Sequence, residues 1–397
     1  MTTDLKVRIY NVLFGDAIFL RIPDMDPAGN PVNLSVLIDA GNVLSGAGSD
    51  DAVLSQAMRD IHAQLAGQPL DLFVMTHEHL DHVQGPLLAS RKLGLELRAR
   101  QVWLTKSCEP GYYESHPEAK EKRRLAMASL DQIHAALALH AAQMPGGLLA
   151  LLALNNPRST EDCVDYLRGM SDSPPLYVHR QADLRDQSPF RNTAVRVLAP
   201  EEDASVYYGT IQPPALAFTP GLAGPLAADG TMLQPPPGVS LGDFADLLHY
   251  RSQGALENLF AIDKAQNNTS VVLELEWNGW VLLFPGDAEE KSWRTMSRRG
   301  LLRPAHFLKT GHHGSPNGSP REVFDQVLPN VPGDQRPRLA ALSTADKAYK
   351  GVPNPDILRE TSQRATLYDT RKAPDGGWIE FSFPATGEGP RVEMGPS

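Results

Sequence analysis

The chain has 397 residues, of which 42% are hydrophobic and 21% are charged, so it can bury the core of one large domain or two ordinary ones. Its formal net charge of -10 excludes a general attraction to nucleic acid, so any such binding needs a local basic face. The two cysteines, Cys108 and Cys163, are too few for a disulfide framework and fit reduced thiols in a cytosolic protein.

Neither the N-terminal segment nor the most apolar stretch of the chain predicts a membrane protein. The N-terminal segment MTTDLKVRIYNV lacks the charged and apolar regions of a signal peptide. The most apolar stretch, residues 135–154, is interrupted by His140, Gln143 and a Pro-Gly-Gly turn, which favours buried helices over a membrane span. We therefore expect a cytoplasmic protein that does not associate with membranes.

Strand and helix patterns alternate along the chain. Strands are predicted at 5–12, 17–22, 35–42 and 70–76, with a helix at 49–66. The later predicted elements are strands at 99–105, 175–179 and 194–200, a hairpin within 267–290, a helix at 288–299, and an alternating tail from about 338 to 384. This alternation favours an α/β sandwich.

Two segments interrupt this alternation, and we interpret the chain as a single domain, 1–397, with two insertions. Residues 110–171 have helical periodicity, and this helical insertion either packs on its own domain or docks a protein partner. Residues 205–262 are rich in proline and glycine, and a loop of this length is usually a lid, a binding loop or disordered.

A compact motif, THEHLDH, follows the apolar run at 70–76. His77, His79, Asp81 and His82 offer the imidazole and carboxylate ligands that zinc and related divalent metals take. The two-residue offset puts His77 and His79 on one side of an extended chain, and Asp81 and His82 can face a second metal after a turn. A zincin is excluded because position 81 is aspartate. A buried strand leads directly into the motif, which argues against chance clustering on the surface.

Two further strand ends carry metal-ligand types. Asp287 follows the apolar run WVLLF, and His312 and His313 follow AHFL. Alone, Asp287 could cap a helix that begins at 288, and HHG could be an ordinary turn. Together with the first motif they predict a dinuclear site, with the aspartate bridging two metals and a histidine completing the second.

These motifs resemble those of the metallo-β-lactamase fold superfamily, whose signature is His-x-His-x-Asp-His. FGDA (14–17), NNTS (267–270) and LKTGHHGS (308–315) are similar to the pattern of its ComEC-type branch, the C-terminal hydrolase domain of competence proteins. The resemblance runs from about residue 5 to about residue 384, apart from the insertions. It implies a four-layer αββα metallo-β-lactamase sandwich with metal-dependent hydrolase activity.

The resemblance also implies roles for residues. Asp39 supports the metal loop, Asp287 bridges the metals, and His312 is the last ligand, with His313 as the alternative. The implied metal ligands are His77, His79, Asp81, His82, Asp287 and His312, which would hold two divalent ions, zinc or manganese.

One usual ligand of the first metal is missing. Most members of the superfamily have a further histidine shortly before the strand that leads to Asp287, and this chain has none between His249 and Asp287. The stand-ins considered are Asp263, Asn267 and Asn268, with His249, His179 and His116 as candidates that only folding could bring close. The first site is therefore expected to be weak, and the metal count stays open.

The implied reaction is hydrolysis, in which a metal-bound hydroxide attacks carbon or phosphorus. The predicted catalytic residues are Asp81, Asp287 and Lys309. Lys309 either approaches a substrate phosphate or is a solvated lysine at the end of a strand. Substrate contacts are predicted for Asn267, Asn268, His313 and Ser315, with turn or cap roles equally open.

Four functional hypotheses follow. The first is a phosphodiesterase or nuclease, with DNA as the substrate that the ComEC resemblance implies and basic residues in 90–100, 121–124 and 291–303 as a candidate track. An ordinary solvated helix face explains those residues slightly better than a DNA track does. The others are a phosphoesterase on a small nucleotide or phosphocholine-type substrate, a hydrolase of lactams, lactones or thioesters, and a partner-binding module that retains a metal site.

Overall fold

The computed structural model describes residues 3–43, 50–125, 127–128, 157–208, 261, 263–330, 336–346, 351–386 and 389–396. The chain divides into two compact units. The first comprises Met1–Pro110, Leu154–Glu202 and Gln266–Ser397, and the second comprises Gly111–Ala153 and Asp203–Ala265. Most of the two predicted insertions lies outside the described residues, so the lid and the domain boundaries stay predictions.

The first unit contains two β-sheets. Its strands are β1 (Leu5–Tyr10), β2 (Ala17–Met25), β3 (Pro31–Ala40), β4 (Leu70–Val74), β5 (Ala99–Thr105), β6 (Leu176–Val178), β7 (Ala194–Ala199), β8 (Val272–Trp277), β9 (Trp280–Phe284), β10 (Phe307–Lys309), β11 (Leu339–Leu342), β12 (Thr366–Asp369), β13 (Trp378–Phe383) and β14 (Arg391–Gly395). An eight-stranded sheet has the order β14-β13-β1-β2-β3-β4-β5-β6, and a six-stranded sheet has the order β12-β11-β10-β9-β8-β7.

The helices whose bounds are fully described are α1 (Asp50–Leu65), α2 (Leu80–Leu93), α3 (Tyr112–Ser115), α4 (Pro157–Arg168), α5 (Glu290–Arg298), α6 (Arg321–Val327) and α7 (Pro355–Arg364). Only α3 belongs to the second unit. Among the described residues, no helix combines the length and apolar character that a membrane span requires.

The strands near the motif are buried on both faces. Leu72 and Val74 of β4 belong to an apolar cluster shared by the two sheets, which also contains Phe284 and Phe307. Phe73, between them, packs into a second cluster with α1, α2 and α4. Successive side chains of a strand point to opposite faces, so the part of a strand that is covered on both faces is apolar, as Leu72, Phe73 and Val74 of β4 are.

The outer face of the six-stranded sheet is covered in the same way. Leu308 of β10 packs with Trp293 of α5, Phe324 of α6 and Ile357 of α7. Each of these buried side chains contributes about 1.5–3 kcal/mol to stability. The first unit is therefore a mixed α/β structure with two sheets, which agrees with the predicted α/β sandwich; the metallo-β-lactamase layering stays an implication of the resemblance.

Parallel strands set the position of the site in each sheet. β3, β4 and β5 run parallel in the first sheet, and β9, β10 and β11 run parallel in the second. Parallel neighbours bring their carboxyl ends to the same edge of a sheet, where ligand sites of α/β proteins commonly form. The motif follows β4, and the segments containing Asp287 and His312 follow β9 and β10.

Candidate metal centre

The THEHLDH motif joins β4 to α2. His77 and His79 lie in the connecting loop, and Asp81 and His82 lie in the first turn of α2. None of the four residues is more than 3% exposed. Gly41 packs against this turn so closely that a Cβ atom there would lie 2.5 Å from the carbonyl carbon of Asp81. The end of β3 thus fixes the backbone of the motif.

The loop after β9 reaches the same place. Gly286 has a φ of 55°, and a Cβ atom there would lie 2.8 Å from Cβ of Thr76. Only glycine accommodates both the left-handed conformation and this close approach. The backbone N–H of Asp287, the next residue, donates to Oγ of Ser270 at 3.1 Å.

Asp81, His82, Asp287 and His313, which we call the four-ligand cluster, each offer a ligand atom within 4.8 Å of the other three. Nε2 of His313 lies 3.2 Å from Oδ2 of Asp81 and 3.3 Å from Oδ2 of Asp287. Nε2 of His82 lies 3.4 Å from the same oxygen of Asp287. All four side chains are buried, and the group can hold a metal ion.

Asp39, at the end of β3, orients His82. Its Oδ1 accepts from the backbone N–H of Thr76 at 2.7 Å, and its Oδ2 accepts from Oγ1 of Thr76 at 2.7 Å. The same Oδ2 lies 2.8 Å from Nδ1 of His82. Because a carboxylate only accepts, Nδ1 of His82 carries the proton, and in the neutral ring the lone pair of Nε2 faces Asp287.

Hydrogen bonds at Nδ1 also orient the imidazole rings of His77 and His313. The hydroxyl proton of Thr76 goes to Asp39, so Oγ1 of Thr76 accepts from Nδ1 of His77 at 3.0 Å. The carbonyl oxygen of Ser343, which can only accept, lies 3.0 Å from Nδ1 of His313. In both neutral rings the lone pair therefore belongs to Nε2, as in histidines that bind metals.

Several buried polar atoms in this region lack a hydrogen-bond partner among the described residues: Nε2 of His77, Oδ1 of Asp81, Nε2 of His82 and Oδ1 of Asp287. A buried polar atom without a partner costs about 1–3 kcal/mol. A divalent cation would satisfy these imidazole nitrogens and carboxylate oxygens together, so the residues fit a metal ion.

The electrostatics of the cluster favour positive charge. Burial lowers the pKa of His82, but the carboxylates of Asp287, Asp81 and Asp39 outweigh it and raise that pKa well above its usual value. Burial also opposes the charge on His313, yet Asp287 and Asp81 raise the pKa of its imidazole to about 10. A proton and a metal ion compete for the same lone pairs in such a site.

His77, His79 and His312, which we call the histidine trio, are less tightly gathered. The ring centroid of His77 lies 4.6 Å from that of His79 and 4.2 Å from that of His82. Nε2 of His79 lies 3.0 Å from Oε1 of Gln266, and Nε2 of His312 lies 4.0 Å from Oδ2 of Asp287. No group of donor atoms within 4.8 Å of one another includes the trio, as far as the chain is described.

The two adjacent histidines, His312 and His313, lie in different surroundings. His313, the alternative for the last ligand and a predicted substrate contact, lies in the four-ligand cluster. His312, the first choice, lies beside Asp287 but outside that cluster. The ligand roles themselves stay predictions.

The residues that could replace the missing histidine of the first metal do not belong to the four-ligand cluster. Nδ2 of Asn267 donates to Oε1 of Glu289 at 2.9 Å, and Oδ1 of Asn268 accepts from the backbone N–H of Ser292 in α5. Asp263 lies in a helical segment. His116 stacks on Tyr112 in the second unit, His179 is half-buried beyond β6, and His249 lies outside the described residues.

Lys309 and Ser315 have clear structural partners. Lys309 is fully buried rather than solvated, and its Nζ donates to Oδ2 of Asp16 at 2.7 Å and to the carbonyl oxygen of Thr310. An ammonium group paired in this way reaches a substrate phosphate only if the pair breaks. Oγ of Ser315 donates to Oδ1 of Asn317 and accepts from the backbone N–H of Gly318, which is a turn role.

Sequence reasoning missed four residues around the site. Gln266 contacts His79, Glu289 contacts His312, Ser343 holds His313, and Asp16 pairs with Lys309. The motifs FGDA and PGDAEE contain Asp16 and Glu289, so an inspection of every carboxylate near the ligands could have found those two. Gln266 and Ser343 leave no comparable signal.

Comparisons with known proteins add little to this geometry. No protein-family model and no curated protein matches the chain. Among solved structures, a long form of RNase Z from yeast matches with 16% sequence identity and a TM-score of 0.17, over 26% of this chain and 15% of that one. A likeness that covers so little of either chain leaves the function to be argued from the site.

Proposed function

We propose that this chain is a metal-dependent hydrolase of the metallo-β-lactamase type that cleaves phosphodiesters. The observation that carries the proposal is the buried cluster of Asp81, His82, Asp287 and His313, whose donor atoms lie within 4.8 Å of one another. Three of its buried atoms, Oδ1 of Asp81, Nε2 of His82 and Oδ1 of Asp287, lack a hydrogen-bond partner among the described residues, which supports a role as metal ligands. The similarity of the sequence motifs to ComEC-type hydrolases supports the choice of reaction.

The proposed reaction assigns the following roles to the residues of the site. Asp81, His82, Asp287 and His313 would hold one divalent ion, and His77 and His79 would contribute to a second one. When bound, such a cation acidifies water toward neutral pH and stabilises negative charge on the leaving oxygen. Oδ1 of Asp81 and Oδ1 of Asp287 can accept a proton and orient the attacking water, because neither has another partner among the described residues. Imidazole and carboxylate donors suit zinc and manganese.

The surface charges favour a small phosphodiester over a nucleic-acid track. Basic residues in all three candidate segments pair with carboxylates, which reduces the field available to a polyanion. These pairs are Arg91 with Asp162, Arg98 with Asp172, Lys122 with Glu118, Arg294 with Glu290 and Glu322, Arg299 with Glu201, and Arg303 with Glu274 and Glu276. We therefore place a nucleotide or phosphocholine-type diester before DNA.

The test is hydrolysis of bis(4-nitrophenyl) phosphate, of a cyclic nucleotide and of labelled single- and double-stranded DNA by manganese- or zinc-loaded protein. We expect metal-dependent cleavage of the small diesters that Asp287→Ala abolishes. Asp71→Asn is the control. The carboxylate of Asp71 accepts a hydrogen bond from the backbone N–H of Ser35 in the same sheet as the THEHLDH motif, away from the cluster.

The outcomes separate the hypotheses. Cleavage of DNA but not of small diesters would restore the nuclease reading. Cleavage only of a lactone or thioester substrate would replace phosphorus chemistry by carbon chemistry. Bound metal without turnover on any substrate would overturn the hydrolase and leave a binding module with a metal site.

A further inference from the structure

A second compact group of polar side chains lies beside the four-ligand cluster. Asp16, Asp39 and His82, which we call the second donor group, each offer a ligand atom within 4.8 Å of the other two, and all three are buried. His82 belongs to both groups. Two carboxylates and an imidazole are suitable ligands for a divalent cation, so the second donor group could compete with the four-ligand cluster for an ion.

Asp16 is fixed through its backbone, whereas its carboxylate is only partly satisfied. Its N–H donates to the carbonyl oxygen of Asp81 at 3.1 Å, and its own carbonyl oxygen accepts from the N–H of Gly41 at 2.9 Å. The residue is 1% exposed, and Oδ1 of its carboxylate has no hydrogen-bond partner among the described residues. A buried carboxylate of this kind needs a positive charge nearby.

Lys309 supplies a positive charge to the second donor group. It is the last residue of β10 and is fully buried, and its Nζ donates to Oδ2 of Asp16 at 2.7 Å and to the carbonyl oxygen of Thr310 at 3.2 Å. Because burial of an ammonium group is costly, it requires a close partner of opposite charge. The ammonium therefore does for Asp16 what a bound metal ion would otherwise do.

The hydrogen bonds of Asp39 show what a metal ion in the second donor group would disturb. Oδ1 of Asp39 accepts from the N–H of Thr76, and Oδ2 accepts from Oγ1 of Thr76 and from Nδ1 of His82. A cation bound to Asp39 would compete with these donors for the carboxylate oxygens. It would thereby weaken the support that Asp39 gives to His82.

We propose that Lys309 is a built-in cation of the second donor group, whose ammonium compensates Asp16 and keeps metal ions out of this group. His82 then stays hydrogen-bonded to Asp39, and its Nε2 remains available to the four-ligand cluster. Lys309 is thus a positioning residue, since it acts on the cluster through Asp16. The inference rests on the proposed function only in its use of the four-ligand cluster as a metal site.

The test compares the metal content of wild type, Lys309→Met and Lys309→Met/Asp16→Asn. Each protein is prepared without metal and equilibrated with buffered Mn²⁺, and bound ions are counted by mass spectrometry. Methionine keeps a long, unbranched side chain without the charge, so Lys309→Met should gain an ion that Asp16→Asn removes again. Adding Asp287→Ala to Lys309→Met locates this ion, which should survive because Asp287 is not part of the second donor group.

The four-ligand cluster should respond as well. In Lys309→Met, the ion that depends on Asp287 should bind about 10–100-fold more weakly, which is the loss expected when the support of a ligand histidine is disturbed. Asp16→Asn as the second change should restore its affinity. A pair with only a structural role would produce neither the additional ion nor this rescue.

Lys6→Met is the matched control. Nζ of Lys6 lies 2.6 Å from Oε1 of Glu380 in the eight-stranded sheet, outside both donor groups, so its loss should leave the bound ions unchanged. Thermal unfolding of each metal-free variant shows whether it is folded. If Lys309→Met is not, Lys309→Gln takes its place with the same expectations, because glutamine keeps a hydrogen-bond donor for Asp16 without the charge.

Three results would overturn the inference: Lys309→Met binds the same ions as wild type with unchanged affinities, its additional ion persists after Asp16→Asn, or wild type already holds an ion that depends on Asp16 and not on Asp287. Failure of the proposed function is distinguishable from these results. A wild type without any ion that depends on Asp287 would overturn the metal site, while an ion that depends on Asp16 in Lys309→Met would still support the role of Lys309.

Discussion

The four-ligand cluster and the basic helix α5 with its following turn both concentrate charged side chains, yet they satisfy them in opposite ways. In the cluster, Nε2 of His82 and Oδ1 of Asp287 are buried and lack partners among the described residues. Around α5, the guanidinium groups of Arg294, Arg299 and Arg303 each contact a carboxylate. Density of charge therefore does not distinguish the proposed metal site from a solvated face, whereas buried nitrogen and oxygen atoms without a hydrogen-bond partner do.

The free-energy cost of burying polar atoms explains why the cluster indicates a function and the surface ion pairs do not. Unpartnered buried polar atoms cost about 1–3 kcal/mol each, so a chain retains them where a ligand will complete them. Exposed ion pairs contribute only about 0–1 kcal/mol, so their presence says little about function. Each of the following predictions tests one of these two regions.

The largest effect is expected from Asp287→Ala. Oδ2 of Asp287 lies within 4.0 Å of Nε2 of His82, His312 and His313, so its removal takes away the carboxylate that these three imidazoles share in the proposed metal site. The affinity for Mn²⁺ or Zn²⁺, measured by competition with a chelating dye, should fall by more than the ~100-fold that loss of a mere supporting group costs at most. An unchanged affinity, with Asp71→Asn as the reference, would remove Asp287 from the metal site.

Asp39→Asn should have a smaller effect. Asparagine tolerates the φ of 54° found at this position, so the backbone is kept while the charge behind Nδ1 of His82 is lost. We expect metal affinity to fall by about 10–100-fold in calorimetric titrations. Affinity equal to that of wild type would show that Asp39 shapes the loop without tuning the ligand.

The stabilisation by metal should grow with pH. Since the folded-state pKa of His313 is raised from 6.5 to about 10, its protonation stabilises the metal-free fold most fully below 6.5, and this contribution is lost as pH rises toward 10. Metal binding needs the deprotonated ring and strengthens over the same interval. The difference in Tm between metal-loaded and chelated protein should therefore increase from pH 6.5 upward; a constant difference would mean that no such proton is displaced.

The smallest effect is expected from Arg294→Ala. The side chains of Arg294, Glu290 and Glu322 are each about half exposed, so solvent screens both ion pairs. The free energy of unfolding, measured with urea, should change by less than about 1 kcal/mol. DNA binding in a filter assay should not change either, and a marked loss would reinstate the basic segment as a nucleic-acid contact.

Part of this molecule could be predicted from sequence because local patterns were strong. The apolar runs at 70–74 and 280–284 end in ligand residues, and both are strands whose ends approach each other. The strands predicted at 17–22 and 35–42 omit the polar outer part of β2 and β3. This part includes Asp24, whose carboxylate accepts hydrogen bonds from the backbone N–H groups of residues 191–193.

Other features depend on contacts that no local pattern encodes. The different positions of the His312 and His313 side chains depend on backbone φ angles and on Ser343, which is 30 positions from His313. Arg299 pairs with Glu201 across 98 positions, so the sequence showed the basic residue without its neutralising partner. Tertiary contacts of this kind decided which charges were available.

The separation of the ligands along the chain has a consequence for the protein in a cell. Asp81 and His313 are 232 positions apart, so an unfolded chain offers no comparable cluster for a cation. A ligand that binds only the folded state stabilises it by about 2.7 kcal/mol at a concentration 100 times its Kd. For a protein with the proposed metal site, metal starvation would therefore enlarge the unfolded fraction that proteases attack, and the abundance of the protein would follow the metal supply.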